Sequence, residues 1–467
     1  MITQSRCWLW VWMIWVTPLA HAAEDPCKRT AYLSLRYDED WRFLRSAACQ
    51  TDWLDPLKLV TFDQSGERYL TLGGEARMRY DRFTNPAFGA EVDDADGFWL
   101  QRYLLHADLH RSEQFRFFGQ LQSSLINDRK AGPRPSDKNA FDVNQVFADW
   151  TPFRTSEKFL TFRLGRQELE FGASRIISGR DGLNDRLSFD GLTIHGNHGP
   201  WRYNGGITRP VLNKPGSLDD ESHDQGRFWG LSLARSHQLL PGATSVIYFH
   251  RRDQDSLRYD QGVADEQRYT LGTRWLGRGS RWDYNFETGL QFGDFGDASI
   301  RAWYIATDNG WTWPAVRFKP RLGLRIDAAS GDRDPNDSRL NTFNPLFASA
   351  AYSGLAGLIG PSNSIDVAPS TALRLNDKTV LTTGVVGFWR QSVHDGIYGT
   401  LQNLQRTGQR SRARHVGNQA TLQLTWSATN HLTLYSTLSY FVVGRVLKDT
   451  PPAENVSYFT AFATYRF

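Results

Sequence analysis

The chain has 467 residues, of which 40% are hydrophobic, 13% are aromatic and 22% are charged, and its formal net charge is +4. A mean hydropathy of −0.50 excludes a bundle of membrane-spanning helices, and so small a net charge gives no reason to expect a nucleic-acid partner. A polar chain with 17 Trp is typical of a transmembrane β-barrel, in which alternate residues face lipid and aromatic residues lie at the interfaces. A secreted β-sandwich or β-propeller fits this composition equally well.

Residues 1–22 predict a secretory signal peptide. Arg6 supplies a positive charge, and Trp8 to Val16 form an apolar stretch that is too short to span a bilayer as a helix. Ala20-His21-Ala22 is a cleavage site of the small-x-small type. We therefore expect the mature chain to begin at Ala23 and to be exported.

The cysteines predict one disulfide. Cys7 is lost with the signal peptide and fits no lipid-attachment pattern, which leaves Cys27 and Cys49. Two cysteines in an exported chain favour a disulfide, which here would stabilise the fold and carry no chemistry.

Residues 23–66 do not alternate between apolar and polar side chains, and we expect them to form an N-terminal periplasmic segment. Asp38 to Ser46 predict a short helix whose apolar face carries Trp41 and Leu44. The pattern then changes, and residues 67–467 are predicted to form the barrel.

Residues 70–80 illustrate the pattern of this barrel region. The even positions hold Leu, Leu, Gly, Ala, Met and Tyr, and the odd positions hold Thr, Gly, Glu and two Arg. A period of two with one apolar and one charged face predicts a strand with an apolar environment on one side. About eighteen such segments occur, near 69–80, 98–110, 114–126, 141–151, 158–168, 187–197, 200–209, 226–237, 242–252, 266–277, 280–292, 298–308, 312–329, 362–375, 378–391, 412–427, 430–443 and 456–467.

The connections between these segments alternate between short and long. Long ones are predicted near 81–97, 127–140, 169–186, 210–225, 253–265, 330–361, 392–411 and 444–455. Short periplasmic turns, long outer loops and an even number of strands are typical of outer-membrane barrels and not of a β-sandwich. The last segment carries Phe459, Ala461, Ala463, Tyr465 and Phe467 on one face, which resembles the C-terminal signal of bacterial outer-membrane proteins. The sequence therefore predicts an all-β fold, a single 18-stranded antiparallel transmembrane β-barrel surrounded by outer-membrane lipid.

The inward face of this barrel is rich in cations. A barrel of this width is not filled by side chains of its strands alone, so its lumen holds water or a plug. Guanidinium groups between low-dielectric walls attract anions and bind carboxylates through two hydrogen bonds. Alternatively, these cations only satisfy acidic residues of the same face, such as Glu75, Asp283 and Glu287. The predicted pore-lining cations are Arg77, Arg79, Arg102, Arg116, Arg163, Arg274, Arg317, Lys319, Arg321, Arg325 and Arg390.

Three further features concern the strand and loops near this lumen. Residues 317–325 place four cations on one side of one predicted strand, where they are the hardest to neutralise. Residues 165–192 are too charged and glycine-rich for lipid contact, and we expect them to fold into the lumen and narrow it. Asp332 to Asp337 space carboxylates as a calcium loop does, but lack the Gly and the distal Glu of an EF-hand, which favours a solvated turn.

The sequence gives little sign of catalysis. It contains no G-x-S-x-G and no H-E-x-x-H motif. Ser392, His394 and Asp395 lie close together in sequence, but adjacency along the chain does not make a catalytic triad. We expect neither an enzyme nor a bound cofactor or metal.

A series of motifs carries a resemblance to a known family. They are Asp52-Trp53-Leu54-Asp55-Pro56, Tyr69-Leu70-Thr71-Leu72-Gly73-Gly74-Glu75-Ala76-Arg77, Leu164-Gly165-Arg166-Gln167-Glu168, Arg186 with Ser188-Phe189-Asp190-Gly191, Ser330-Gly331-Asp332, Phe343-Asn344-Pro345-Leu346-Phe347, Phe388-Trp389-Arg390, Asp395-Gly396-Ile397-Tyr398-Gly399 and Ala463-Thr464-Tyr465-Arg466-Phe467. From about Asp52 to Phe467 the chain resembles the alginate export family of outer-membrane porins.

The resemblance implies a monomeric 18-stranded barrel with an arginine-rich constriction that conducts an anionic polysaccharide, a polyuronate, outward with the help of periplasmic export components. The exporters of alginate are gated partly by a long periplasmic turn between strands eight and nine. Here that turn spans only 236–241, so we expect this plug to be absent.

Several functions fit these predictions. The first is a passive, anion-selective channel that exports an acidic polysaccharide such as alginate. The second is a general porin, or a porin for small organic anions, on the same scaffold. An outer-membrane enzyme and a purely structural or adhesive barrel are two further classes, which the absent catalytic motifs and the inward arginines favour less.

Overall fold

The computed structural model describes residues 27, 29, 31–171, 173–237, 242–349, 351–352 and 354–467. The predicted signal peptide and most of the turn 236–241 therefore lie outside the described residues. In the part that the structure describes, no helix has the length and apolar character needed to cross a bilayer.

Eighteen antiparallel strands form the barrel. They are β1 (Tyr69–Thr84), β2 (Asp94–His110), β3 (Phe115–Asn127), β4 (Asn139–Arg154), β5 (Lys158–Gln167), β6 (Phe189–His198), β7 (Trp201–Leu212), β8 (Gly226–His237), β9 (Ala243–Tyr259), β10 (Gly262–Arg278), β11 (Trp282–Phe295), β12 (Ala298–Thr312), β13 (Arg321–Ala329), β14 (Ser364–Asn376), β15 (Thr379–Arg390), β16 (His415–Ser427), β17 (Leu432–Val443) and β18 (Val456–Arg466). The predicted fold class is confirmed.

The remaining elements are short. Two-residue and three-residue strands lie at Val60–Thr61, Glu221–Ser222, Arg339–Leu340, Ile397–Tyr398 and Leu404–Arg406. The α-helices are α1 (Asp55–Lys58), α2 (Pro86–Gly89) and α3 (Arg445–Asp449), and the 3-10 helices are Arg36–Asp38, Arg42–Arg45, Ala47–Cys49 and Gly408–Arg410.

The barrel closes between its first and last strands. β1 pairs antiparallel with β18 from Glu75 opposite Arg466 to Thr84 opposite Ser457, and consecutive strands pair all the way round. Closure matters because a sheet edge in hydrocarbon would leave backbone N–H and C=O groups without partners.

The two faces of each strand differ as the alternation predicts. In β1 the odd positions from Thr71 to Asp81 are buried, whereas Met78 on the other face is 40% exposed. Exposed leucine and isoleucine side chains form an apolar belt around the outside, and six half-exposed tryptophans lie at the periplasmic strand ends: Trp150, Trp201, Trp275, Trp282, Trp311 and Trp426. An apolar belt with an aromatic girdle is the surface that a bilayer requires.

The strand predicted over 312–329 is wrong in its first part. β12 runs to Thr312 and β13 begins at Arg321, with Thr312 opposite Arg321. The intervening residues form a periplasmic turn in which Phe318 and Lys319 have positive φ angles of 65° and 43°. Arg317 and Lys319 are therefore exposed at the periplasmic rim, and the proposed row of four cations on one strand does not exist.

The long outer loop predicted near 253–265 is also wrong. β9 and β10 continue as a hairpin to Tyr259 opposite Gly262, joined by two residues. The hairpin was missed because a strand that projects beyond the bilayer has no lipid on either side, and so no apolar face is required of it.

The N-terminal segment folds into short turns rather than one helix over 38–46. The Oδ1 atom of Asp40 accepts the backbone N–H of Arg42 at 3.0 Å and starts a new turn there. Trp41 and Leu44 are buried as expected. Cys27 and Cys49 are joined by a disulfide, with their Cα atoms 4.9 Å apart.

The turn at 313–320 gives a direct test of the strand boundary. Phe318 would face lipid if the strand began at 312, whereas the structure places it in a turn at the aqueous rim. We expect Phe318→Cys to react rapidly with a membrane-impermeant maleimide in open membrane fragments, because thiol reaction needs water access. Leu322→Cys, on the lipid face of β13, should react at least about tenfold more slowly. Equal slow labelling at both positions would restore the longer strand.

Candidate functional site: the lumen and its two closures

The loop 168–188, between β5 and β6, crosses the lumen. On one wall, Arg77 of β1 donates through Nη1 to the carbonyl oxygen of Asp181 at 2.8 Å, and Arg79 donates to that of Gly182 at 2.8 Å. Far around the barrel, Arg175 of the loop pairs with Glu287 of β11 at 3.1 Å. Of the residues 165–192 that were predicted to fold into the lumen, 168–188 form the loop, which we call the constriction loop, whereas 165–167 and 189–192 belong to the barrel strands β5 and β6.

Charged groups hold the constriction loop in shape. Arg186 donates through Nε to Glu168 Oε1 at 2.7 Å, and it also pairs with Asp181. Asp181 accepts from Arg102 of β2 as well, at 2.5 Å. Arg102, Arg186 and Glu168 are buried, so each of them depends on a partner that offsets its charge, whereas Asp181 is partly exposed.

Two cavities lie on either side of the constriction loop. The outer cavity has a volume of about 540 Å³ and includes Arg180, Leu183 and Arg186 of the loop in its lining. The inner cavity, of about 390 Å³, is lined by Phe171 and Ile176 of the same loop. The constriction loop is thus a wall of both cavities.

The N-terminal segment enters the periplasmic end of the lumen on the side of β1 to β5, where Tyr37 packs on Phe118 and Phe147. Arg36 donates to the carbonyl oxygens of Gly74 at 2.9 Å and Phe467 at 2.8 Å, next to the seam where β1 meets β18. The Tyr37 hydroxyl donates to the carbonyl oxygen of Glu168 at 2.9 Å, at the start of the constriction loop. The N-terminal segment and the constriction loop are therefore in contact inside the barrel.

We call residues 31–66 the N-terminal plug. Besides Arg36, the buried Lys58 holds it against the barrel. Lys58 donates through Nζ to the carbonyl oxygen of Leu72 at 3.1 Å and lies 5.0 Å from the centre of the Trp41 ring. Burial, followed by the nearby Arg36 guanidinium, lowers the pKa of Lys58 to about 7. A Cβ atom on Gly73 would meet Lys58 Nζ at 2.6 Å, so the plug packs directly on glycine backbone.

Six of the predicted arginines form ion pairs. Each lies close to a carboxylate of the inward face, on its own strand, on a neighbouring strand or, for Arg321, two strands away, which is the alternative that the sequence left open. The pairs are Arg79–Asp81 at 2.7 Å, Arg102–Glu75 at 2.6 Å, Arg116–Asp108 at 2.7 Å, Arg163–Asp149 at 2.7 Å, Arg321–Asp283 at 2.6 Å and Arg325–Asp366 at 3.0 Å.

Three other predicted arginines have no carboxylate partner within the described ranges. Arg77 donates only to backbone carbonyls of the constriction loop. Arg274 donates to the Oδ1 atom of Asn285 at 2.9 Å and lines the inner cavity. Arg390 donates to carbonyls of residues 395–413, including that of Ser411 at 2.7 Å, and thereby holds an outer loop.

The sequence did not predict two arginines that face the lumen and lack a carboxylate partner in the described chain, Arg180 and Arg252. Arg180 lines the outer cavity and has neither an ion pair nor a side-chain hydrogen bond among the residues that are described. Burial and the guanidinium of Arg252 lower the pKa of Arg180 to about 10, so it remains charged at neutral pH. Arg252 itself contacts Asn344 and the face of Phe347 but no carboxylate in the described chain. Arg252 has the same parity along β9 as the inward His250, which could have revealed it.

The other sequence features have structural partners. Asp395 accepts from Thr342 Oγ1 at 2.6 Å and from the Tyr398 hydroxyl at 2.7 Å, and burial raises its pKa to about 6. These contacts join outer loops rather than orient His394. In the loop after β13, Asp334 and Asp337 accept backbone N–H groups of the same loop, as a solvated turn would.

A closed barrel with a lipid-facing belt and a lumen narrowed by an inward loop is the architecture of an outer-membrane channel, and solved structures agree. OpdO of Pseudomonas aeruginosa is similar with a TM-score of 0.58 and 12% identity, over 85% of this chain and 97% of that one. OccK2 (OpdF) of the same organism, in complex with glucuronate, is similar with a TM-score of 0.56 and 11% identity, over 85% and 98%. OpdK with vanillate has a TM-score of 0.56 and 10% identity, over 85% and 98%.

The family is more specific than the fold. The sequence profile of the family described as alginate export matches residues 68–460. The chain belongs to this family and is an outer-membrane channel of the bacterial cell. A comparison with curated protein sequences found no match.

The N-terminal plug gives a prediction about conductance. Arg36→Ala removes the hydrogen bonds that tie the plug to the barrel seam, and lost bonds to a charged group cost about 1.5–3 kcal/mol. The displaced state of the plug should then be favoured by more than about tenfold. We expect this variant to show a higher open probability in planar bilayers than the unaltered protein.

The matched control is Arg42→Ala, in the same segment, because the one carboxylate that Arg42 pairs with among the described residues is the exposed Asp40. Its conductance should be unchanged. If Arg36→Ala, with its folding verified by heat-modifiable gel mobility, conducts as the unaltered protein does, then the plug does not limit the current.

Proposed function

We propose that this protein is a passive, anion-selective channel that exports an acidic polysaccharide, a polyuronate such as alginate, across the outer membrane. The observation that carries the proposal is the set of lumen arginines without a carboxylate partner in the described chain: Arg77, Arg180, Arg252 and Arg274. Membership of the alginate export family supports the same cargo.

These arginines stand on both sides of the constriction loop. Arg180 lies at the outer cavity and Arg274 at the inner one. Fixed cations between low-dielectric walls attract anions, and a guanidinium group matches the geometry of a uronate carboxylate. We propose that the paired arginines, such as Arg116 and Arg163, shape the path, and that Arg317 and Lys319 meet the anion at the periplasmic rim.

A second candidate function is the passage of small organic anions. The cavities of about 390 and 540 Å³ have the size of small-molecule sites rather than of an open conduit for a polymer. The solved structures of glucuronate-bound OccK2 and vanillate-bound OpdK concern small carboxylates on a similar barrel. We propose that for either cargo the plug moves aside.

We further propose the organisation of the protein in the cell. Residues 1–22 are a cleaved signal peptide, 23–66 a periplasmic segment and 67–467 the barrel. The exposed apolar belt supports a monomer in lipid. The N-terminal plug is the part that periplasmic export components would reach first, and a channel of this kind needs no enzyme activity.

Charge removal tests the anion selectivity. A unit charge roughly 8 Å from an ion path in water is worth about 0.5 kcal/mol. We therefore expect Arg180→Gln and Arg274→Gln each to lower the anion-to-cation permeability ratio by about twofold, measured as the reversal potential under a salt gradient. Arg235→Gln, an exposed cation of β8 over the Trp201 ring, is the control and should have no effect. Cation selectivity of the unaltered channel would contradict the proposal.

Blocking by added solutes separates the two cargoes. If the channel exports a polyuronate, polymannuronate added on the periplasmic side should reduce the anion current at concentrations where glucuronate does not, because many carboxylates of one chain bind at once. A neutral oligosaccharide of the same length is the control for size. Equal blocking by monomer and polymer, per carboxylate, would favour the small-anion porin.

A further inference from the structure

Three carboxylates meet at the outer mouth, where the start of β4 contacts the loop 213–225. Asp142, Asp219 and Asp220 each offer one oxygen atom, and these atoms all lie within 4.8 Å of one another. Asp142 is 3% exposed. Backbone N–H groups donate to each of these carboxylates. Like charges this close nevertheless repel one another when water is excluded, which favours a bound cation.

The nearby side-chain cations do not supply it. Arg166 approaches Asp142 only to 3.9 Å, and its main contact is Asp190 at 2.8 Å. Lys214 pairs instead with Glu221, at 2.8 Å. No other ion pair to the three carboxylates occurs within the described ranges.

An independent observation comes from a buried amide. Asn139 is fully buried, and its Nδ2 atom lies 2.8 Å from Asp220 Oδ2, so its terminal group reaches the cluster. In the described part of the chain, the Oδ1 atom of Asn139 has no hydrogen-bond donor, and neither has the buried Oδ1 atom of Asp219. The two ends of an amide are interchangeable in shape. Turned through 180°, Asn139 exchanges the hydrogen bond from its Nδ2 atom to Asp220 for a bond from its oxygen to a cation held by the carboxylates.

We propose that Asp142, Asp219 and Asp220, with the amide oxygen of Asn139, bind a calcium ion at the outer mouth of the channel. Ca²⁺ takes about six to eight oxygen ligands in flexible geometry, and carboxylates and carbonyl oxygens are the ligands it prefers. Mg²⁺ suits the cluster less well, because it demands near-ideal octahedral geometry and gives up its water reluctantly.

The ion would fix the loop 213–225 to the barrel wall. The loop already forms a bridge between Ser217 and Phe141 of β4. Asn213 at its start donates to Asp185 Oδ2 at 2.7 Å and to the carbonyl oxygen of Arg186 at 2.8 Å, which connects it to the constriction loop. Calcium therefore stabilises the lining of the outer cavity, whichever anion the channel carries.

The test is calcium titration of the full chain, refolded in detergent without lipopolysaccharide so that lipid phosphates do not compete. We expect one saturable Ca²⁺ site by calorimetry. Asp219→Asn should weaken it by more than about tenfold, since removing even an indirect metal contact costs 10–100-fold. Asp219 Oδ2 accepts only the backbone N–H of Gly216, so Asn at this position keeps that acceptor. Asp220→Asn is the second variant if the first does not fold.

The matched control is Asp334→Asn, in the acidic loop after β13, which should bind calcium as the unaltered protein does. A folded, unaltered protein without saturable calcium binding would overturn the proposal. So would an unchanged affinity in the cluster variants, or a loss of binding in Asp334→Asn, which would assign the ion to the other loop. Tighter binding of Mg²⁺ than of Ca²⁺ would overturn the assignment to calcium.

Discussion

A β-strand in hydrocarbon must place every backbone N–H and C=O group in a hydrogen bond with another strand, because lipid offers no other partner. This chain meets that requirement when β18 returns to β1. Once the sheet is closed, alternate side chains necessarily face the lumen, and a barrel of this width leaves them a broad interior to fill. The inward charges, and the loops that fold in to meet them, follow from this closure.

The guanidinium groups of the inward-facing arginines find two kinds of partner. Those close to a carboxylate form ion pairs, as Arg163 does with Asp149 at 2.7 Å. Others donate to loop backbone, because an irregular loop brings carbonyl groups that have no strand partner. Arg77 and Arg79 of β1 hold the constriction loop in this second way. The constriction loop is thus held by arginines that would otherwise line the passage. Few cations remain for the proposed attraction of anions, chiefly Arg180 and Arg274.

The sequence predicted the parts of the fold that lipid enforces. Alternation identified eighteen strands because the bilayer demands an apolar residue at every second position, and it failed at 313–320 and at the β9–β10 hairpin, which lie outside that demand. Composition indicated that residues 165–192 fold inward, but not what they contact, because pairs such as Arg175 and Glu287 are 112 residues apart. Arg180 was not predicted for a different reason: it lies in an irregular loop, which has no periodicity that shows where a side chain points.

The segment that enters the periplasmic end of the lumen is the N-terminal one, which the sequence did not predict to lie there. The short turn after β8 predicts only that the long-turn plug of the alginate exporters is absent, and the N-terminal segment lies at this end, with Arg36 bound at the seam of the barrel. Tyr37 then extends the plug to Glu168, the first residue of the constriction loop. Glu168 is also bound by Arg186, which pairs with Asp181 next to Arg102. A continuous series of contacts therefore runs from the plug through the constriction loop to the barrel wall, so the hydrogen bond from Tyr37 is one of the supports of the constriction loop at its first residue.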